Sequence, residues 1–165
     1  MNKKSILTAG TLALAISTAT TAIYSAELEE IIVTAQKRAE SLQDVPISMS
    51  ALSGSTIKDN GIHSFQDLSG YVPNLEIAEN PVNTIITMRG IGIGSNQSFE
   101  QSVGIYVDGV HFGKSRQVRS GLFDIEQMEV LRGPQGILFG KNTLAGAINV
   151  TTASANVGDE MSGGI

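Results

Sequence analysis

The chain has 165 residues, 41% of them hydrophobic, with 16 acidic and 11 basic side chains and a net charge of −5. That length suits one domain with a modest core. The acidic balance and 5% aromatic content argue against a nucleic-acid partner, which needs Lys and Arg clusters and stacking rings. Cysteine is absent, so there is no disulfide framework.

Residues 1–26 read as a secretory signal peptide. Lys3 and Lys4 form its basic start, residues 6–16 are apolar but too short to span a bilayer, and small residues follow. Cleavage after Ala22 or Ala26 is expected and leaves 9 basic against 16 acidic groups, a charge of −7. Next comes an extended stretch, Ile31, Ile32, Val33 and Thr34, β-branched throughout and free of Pro and Gly. It suits either a first strand of the domain's own sheet or a strand that adds to another protein's sheet edge.

Residues 45–51 alternate apolar and polar after the extended Val45-Pro46 start, as a strand with one buried face does. Two short helices should follow. Residues 53–60 have Ser53 or Ser55 as cap and Gly61 as stop, and residues 63–71 have Ser64 as cap and Pro73 beyond. Leu75 and Ile77 belong to one strand and residues 84–89 to another, joined by a turn-rich loop; residues 91–101 read as an exposed loop. Residues 103–110 alternate again, with Asp108-Gly109 as a hairpin turn signal.

Residues 127–131 predict a strand ended by Gly133-Pro134, residues 135–139 about one helical turn stopped by Gly140, and residues 146–152 a second strand. Lys141 invites a phosphate-loop reading, but GxxxxGK[ST] would need Gly at Gln135 and a hydroxyl at Asn142. The run from Gly90 to Ser95 likewise misses GxGxxG. His63 and His111 stand far apart without metal-ligand spacing, and Glu126 and Glu129 read as solvated or ion-paired carboxylates. No arrangement points to catalysis, and no cofactor is expected.

Several motifs in order resemble the N-terminal plug domain of TonB-dependent outer-membrane receptors: the V-P-x-S run from Val45, Asp67-Leu68, Val72-Pro73-Asn74, Arg89-Gly90, Y-V-D-G-V from Tyr106, E-V-L-R-G-P from Glu129, L-F-G-K-N from Leu138 and G-A-I-N-V from Gly146. The resemblance covers residues 30–152. It implies an α+β plug domain with a small mixed four-stranded sheet, short helices and long loops. It also implies the organisation: signal peptide 1–26, TonB box and extension 27–40, plug 41–152, and the start of a linker to a barrel from 153.

The TonB box would be Glu30, Ile31, Ile32, Val33, Thr34 and Ala35, bound by the periplasmic energy-coupling protein TonB. Arg89 and Arg132 would contact glutamates of the receptor's own β-barrel, the alternative being an internal pair with Glu129 or Asp108. Loops facing the cell exterior would meet a small-molecule or metal-chelate substrate through Asn80, Asn83, Asn96, Gln97 and Arg116, with Phe99 and Phe112 as the available rings. The implied function is the gate of an outer-membrane receptor for a siderophore, vitamin or other nutrient. Only thirteen residues follow Thr152, so a fragment or a truncated product is expected. The alternative is a free periplasmic binding module.

Overall fold

The computed structural model describes residues 30–34, 37–94, 100–119 and 121–154; the expected signal peptide, Ala35, Asn96, Gln97 and Phe99 lie outside them. Ten strands occur among these residues: β1 (Ile32–Val33), β2 (Glu40–Ser41), β3 (Met49–Ser53), β4 (Leu75–Glu79), β5 (Thr84–Met88), β6 (Ile91–Gly92), β7 (Val103–Val107), β8 (Val110–His111), β9 (Ile125–Arg132) and β10 (Gly146–Thr152). The central sheet has the order β3-β9-β10-β7-β8. Its β10–β7 pair is parallel and its other pairs are antiparallel. Four substantial strands and the two-residue β8 thus make the mixed sheet of an α+β fold. A three-stranded sheet β4-β5-β6 and the pair β1-β2 stand apart from it.

Local chemistry accounts for most of the boundaries. Ser53 caps the helix Gly54–Asp59 by accepting from the Thr56 amide, and Gly61, at φ 62°, turns the chain beyond its end. The second helical segment is a 3₁₀ helix, Gln66–Gly70. Its start is organised by Asp67, whose Oδ2 accepts from the amides of His63 and Ser64 and from the Ser64 hydroxyl, each at 2.9 Å. Ser64 is therefore a donor to the cap rather than the cap itself. Those bonds, first that from the His63 amide, hold the Asp67 carboxyl below its usual range. At the β7–β8 turn, Asp108 and Gly109 have φ of 49° and 78°, both positive as a two-residue type I′ hairpin requires.

The core lies on one face of the central sheet. Met128, Val130, Ile148, Val150, Val103 and Ile105 from that face pack with Phe65, Leu68, Ile57 and the Ile77–Ile86–Met88 side of the smaller sheet. The opposite face carries a smaller apolar group, Tyr106, Leu131 and Ala147, against Ile47, Met49 and Phe139. Because both faces are covered, β7 and β9 bury consecutive residues: Val103 through Tyr106, and Met128 through Leu131. The one-sided burial expected for these strands gives way to burial on both sides. Gly104 shows how tight that second face is. A Cβ there would stand 2.5 Å from Thr143 Cγ2 and 2.8 Å from the Tyr106 ring.

Candidate functional site

The extended stretch near the N-terminus sits on this second face. β1 pairs with β2, Ile32 opposite Ser41 and Val33 opposite Glu40. The Leu42 amide donates to Ile31 O at 3.0 Å, so Ile31 and Val33 direct their backbone groups toward β2. Ile32 and Thr34 point their groups to the other edge, where side chains of β9 meet them. Gln127 Nε2 donates to Ile32 O at 2.9 Å, and the Thr34 amide and hydroxyl both donate to Glu129 Oε1. Val33 is buried. Glu30 and Ile31 precede the pair without belonging to a strand.

Glu129 is 1% exposed, far from the solvated carboxylate that its sequence context suggests. A buried carboxylate is tolerated only when its oxygens are hydrogen-bonded. Here β10 supplies Asn149 directly across the ladder, and Asn149 Nδ2 donates to Glu129 Oε2 at 2.8 Å. On the other side the cross-strand residue is the small Ala51. Oε2 of Glu129 is thus satisfied by Asn149, and Oε1 by Thr34 with a longer bond of 3.5 Å from Gln127 Nε2. Beside this contact, Thr34, Lys37, Tyr106, Asp108, Gly109, Leu138, Phe139, Asn149 and Thr151 line a cleft of about 510 Å³. Burial pushes the Tyr106 phenol up, and its hydroxyl donates to Phe139 O, fixing the helical turn Gly136–Phe139 to the sheet.

The Arg89 side chain reaches the turn that follows Arg132. Arg89 has φ 52° in the turn after β5, and its Nη1 lies 3.5 Å from where a Cβ on Gly133 would stand. Arg132 Nη2 donates to Met49 O at 3.1 Å and Nη1 reaches Pro73 O at 3.5 Å, while its buried Nε has no partner among the described residues. Neither arginine pairs with Glu129 or Asp108: the ion pairs among the described residues are Arg38–Glu40 and Lys141–Glu100. Asp108 instead binds the Thr152 amide and hydroxyl, at 2.9 and 2.8 Å. Lys141, the residue that mimics a phosphate loop, hydrogen-bonds Glu100 at 3.1 Å and holds that exposed carboxyl below its usual range.

The remaining candidates gather at the loop between β4 and β5. Asn80 Oδ1 accepts from the amides of Val82 and Asn83 at 2.9 Å, so this amide shapes its own turn. Asn83 is buried, and its Oδ1 has no partner among the described residues. Arg116 Nε donates to Val82 O at 3.2 Å. Arg119, which sequence reasoning passed over, donates to Asn80 O and, at 3.2 Å, to Thr84 Oγ1. Both arginines lie on the 3₁₀ helix Ser115–Arg119, where residues three apart eclipse; that i, i+3 spacing was the available signal. Phe112 is half-buried against the core.

A family model described as "TonB-dependent Receptor Plug Domain" matches residues 41–147. The chain belongs to this family. It is 31% identical over 125 residues to a pesticin receptor of Yersinia pestis, covering 74% of this chain and 18% of that protein. To a vitamin B12 transporter of Vibrio vulnificus it is 29% identical, covering 77% of this chain and 21% of the other. The crystal structure of the ferric yersiniabactin uptake receptor of Yersinia pestis superposes with a TM-score of 0.59 and 34% identity, over 66% of this chain and 17% of that one. The chain thus spans about a fifth of the length of the curated relatives it matches.

The plug family consists of transport receptors rather than enzymes. Among the described residues of this plug, no group of three or more His, Asp or Glu is placed to hold a metal ion.

Proposed function

We propose that this plug is the gate of an outer-membrane receptor that takes up a siderophore, vitamin or other nutrient, and that it carries the substrate signal to TonB through Glu30, Ile31, Ile32, Val33, Thr34 and Ala35. The observation that carries the reading is the placement of Ile32–Val33 outside the central sheet, in a two-residue pairing. A strand so lightly held can leave the domain without dismantling its core, as strand addition to a partner requires. The names of the relatives, receptors and transporters for iron chelates and vitamin B12, supply the substrate class.

The placement of Arg89 and Arg132 supports their role against the barrel wall. The Arg89 guanidinium reaches the glycine that follows Arg132, the Arg132 Nε is buried without a partner among the described residues, and carboxylates from outside the described residues would complete them. The loop clamped by Arg116 and Arg119 supports an outward-facing substrate surface at Asn80 and Arg116, with Asn83 buried beneath it, to which Asn96 and Gln97 from outside the described residues would add. In that surface Arg119 is a positioning residue. The receptor would sit in the outer membrane with the plug's N-terminus in the periplasm.

The test is calorimetric titration of the periplasmic domain of TonB into the full chain and its Ile32→Pro variant. Proline removes a backbone donor and disfavours the extended pairing, so binding should weaken by about 1 kcal/mol or more. Equal affinity of variant and parent would contradict the reading.

A further inference from the structure

Both edges of the Ile32–Thr34 strand are occupied, but by different means. One edge is held by main chain, through the β2 pairing and the Leu42 amide on Ile31 O. On the other, side chains take the groups that a neighbouring strand would: Gln127 donates to Ile32 O in place of an N–H, and Glu129 accepts from the Thr34 N–H in place of a carbonyl, while Thr34 O closes a turn with the Lys37 amide at 2.8 Å. Gln127 and Glu129 are two apart on β9 and so project from the same face of the sheet. The pair imitates one rung of a β-ladder.

From this we infer that Gln127 and Glu129 form a latch on the Ile32/Thr34 edge, and that this edge is where a strand-adding partner binds by displacing them. This rests on the partner reading given above and adds to it the edge used and the residues that guard it. Three features favour this edge. A partner strand supplies main-chain N–H and C=O groups, the same chemistry that Gln127 and Glu129 supply, so the exchange conserves hydrogen bonds. Displacing β2 would instead break main-chain pairing and leave the Ile31 and Val33 groups to be re-satisfied. Glu129, once released from Thr34, still keeps Asn149 on its other oxygen, so the latch opens without stranding a wholly unpaired carboxylate. Glu129 is on this account a positioning residue. It sets the fraction of molecules whose strand is free, and apparent affinity scales with that fraction.

The experiment compares the full chain with its Glu129→Met and Glu129→Gln variants. Met matches the length and offers no comparable acceptor; Gln keeps a carbonyl oxygen for the Thr34 amide. Two quantities are read: amide hydrogen exchange at Thr34, and affinity for the periplasmic domain of TonB. Exchange at Thr34 should quicken by about tenfold or more in Glu129→Met, and TonB should bind several-fold tighter, with Glu129→Gln close to the parent. Unchanged exchange at Thr34 in Glu129→Met overturns the latch. Faster exchange with unchanged TonB affinity overturns the choice of edge while the partner reading stands. Absence of TonB binding to the parent defeats the partner reading itself and the inference with it. Should Glu129→Met lose its core protection, Gln127→Ala serves in its place. It removes the bond to Ile32 O and the longer one to Glu129 Oε1 while leaving Thr34 on that carboxylate, and about twofold tighter TonB binding is expected; no change would overturn the proposal.

Discussion

β1 and β9 share a taste for extended structure and little else. Ile31, Ile32, Val33 and Thr34 form as strong a strand sequence as any in the chain, yet only Ile32–Val33 pairs, and only with Glu40–Ser41. β9 contains Gln127 and Glu129 in a stretch of moderate strand propensity, yet it runs eight residues and pairs with β3 on one side and β10 on the other. Propensity therefore does not decide which strand is firm. Pairing on both sides, with both faces covered, decides it. The receptor's proposed moving part is the strand with the stronger local preference and the weaker tertiary hold, which suits a segment that must stay extended while changing partners.

That contrast can be broken by substitution. Met128→Ala should have the largest effect, because Met128 is wholly buried at the centre of the sheet. A loss of about 2–5 kcal/mol in denaturant unfolding is expected. A loss below about 1 kcal/mol would mean that β9 is not the firm element. Arg132→Ala should cost the isolated domain about 1 kcal/mol through its bonds to Met49 O and Pro73 O. In the full receptor, the plug should become more protease-sensitive than that loss alone explains. A greater effect on the isolated domain than on the receptor would count against the barrel contact. Val33→Ala should have the smallest effect on the unfolding midpoint, less than about 0.5 kcal/mol, although Val33 is as buried as most core residues. Global destabilisation as large as that of Met128→Ala would erase the distinction between the two strands.

Much of the fold was legible from period and turn chemistry. β10 occupies the expected 146–152, Gly140 stops the helical turn at φ 78°, and Asp108-Gly109 makes the hairpin. These features are local, and each depends on neighbours a few residues away. The misses are the non-local ones. Alternation in residues 103–110 suggested one buried face, and nothing nearby reveals that Tyr106 lies under Phe139, whose ring is 4.9 Å away. Glu129 reads as solvated because its partner Thr34 is 95 residues distant and its other partner, Asn149, lies on another strand. The approach of Arg89 to Gly133 also depends on two separate sheets meeting, so the sequence motif could mark the arginines without showing that one reaches the turn after the other.

A strand that serves as the moving part must open on its own, at Ile32–Thr34, while the central sheet stays closed. Amide hydrogen exchange of the full chain, followed residue by residue at rising sub-denaturing urea, tests this directly. Val33 and Thr34 should exchange through a local opening whose free energy scarcely depends on urea. Met128 through Leu131 should exchange through an opening that falls steeply with urea toward global unfolding. A shared urea slope and a shared opening free energy for the two groups would show that the strand leaves only when the whole domain unfolds, and would contradict the account.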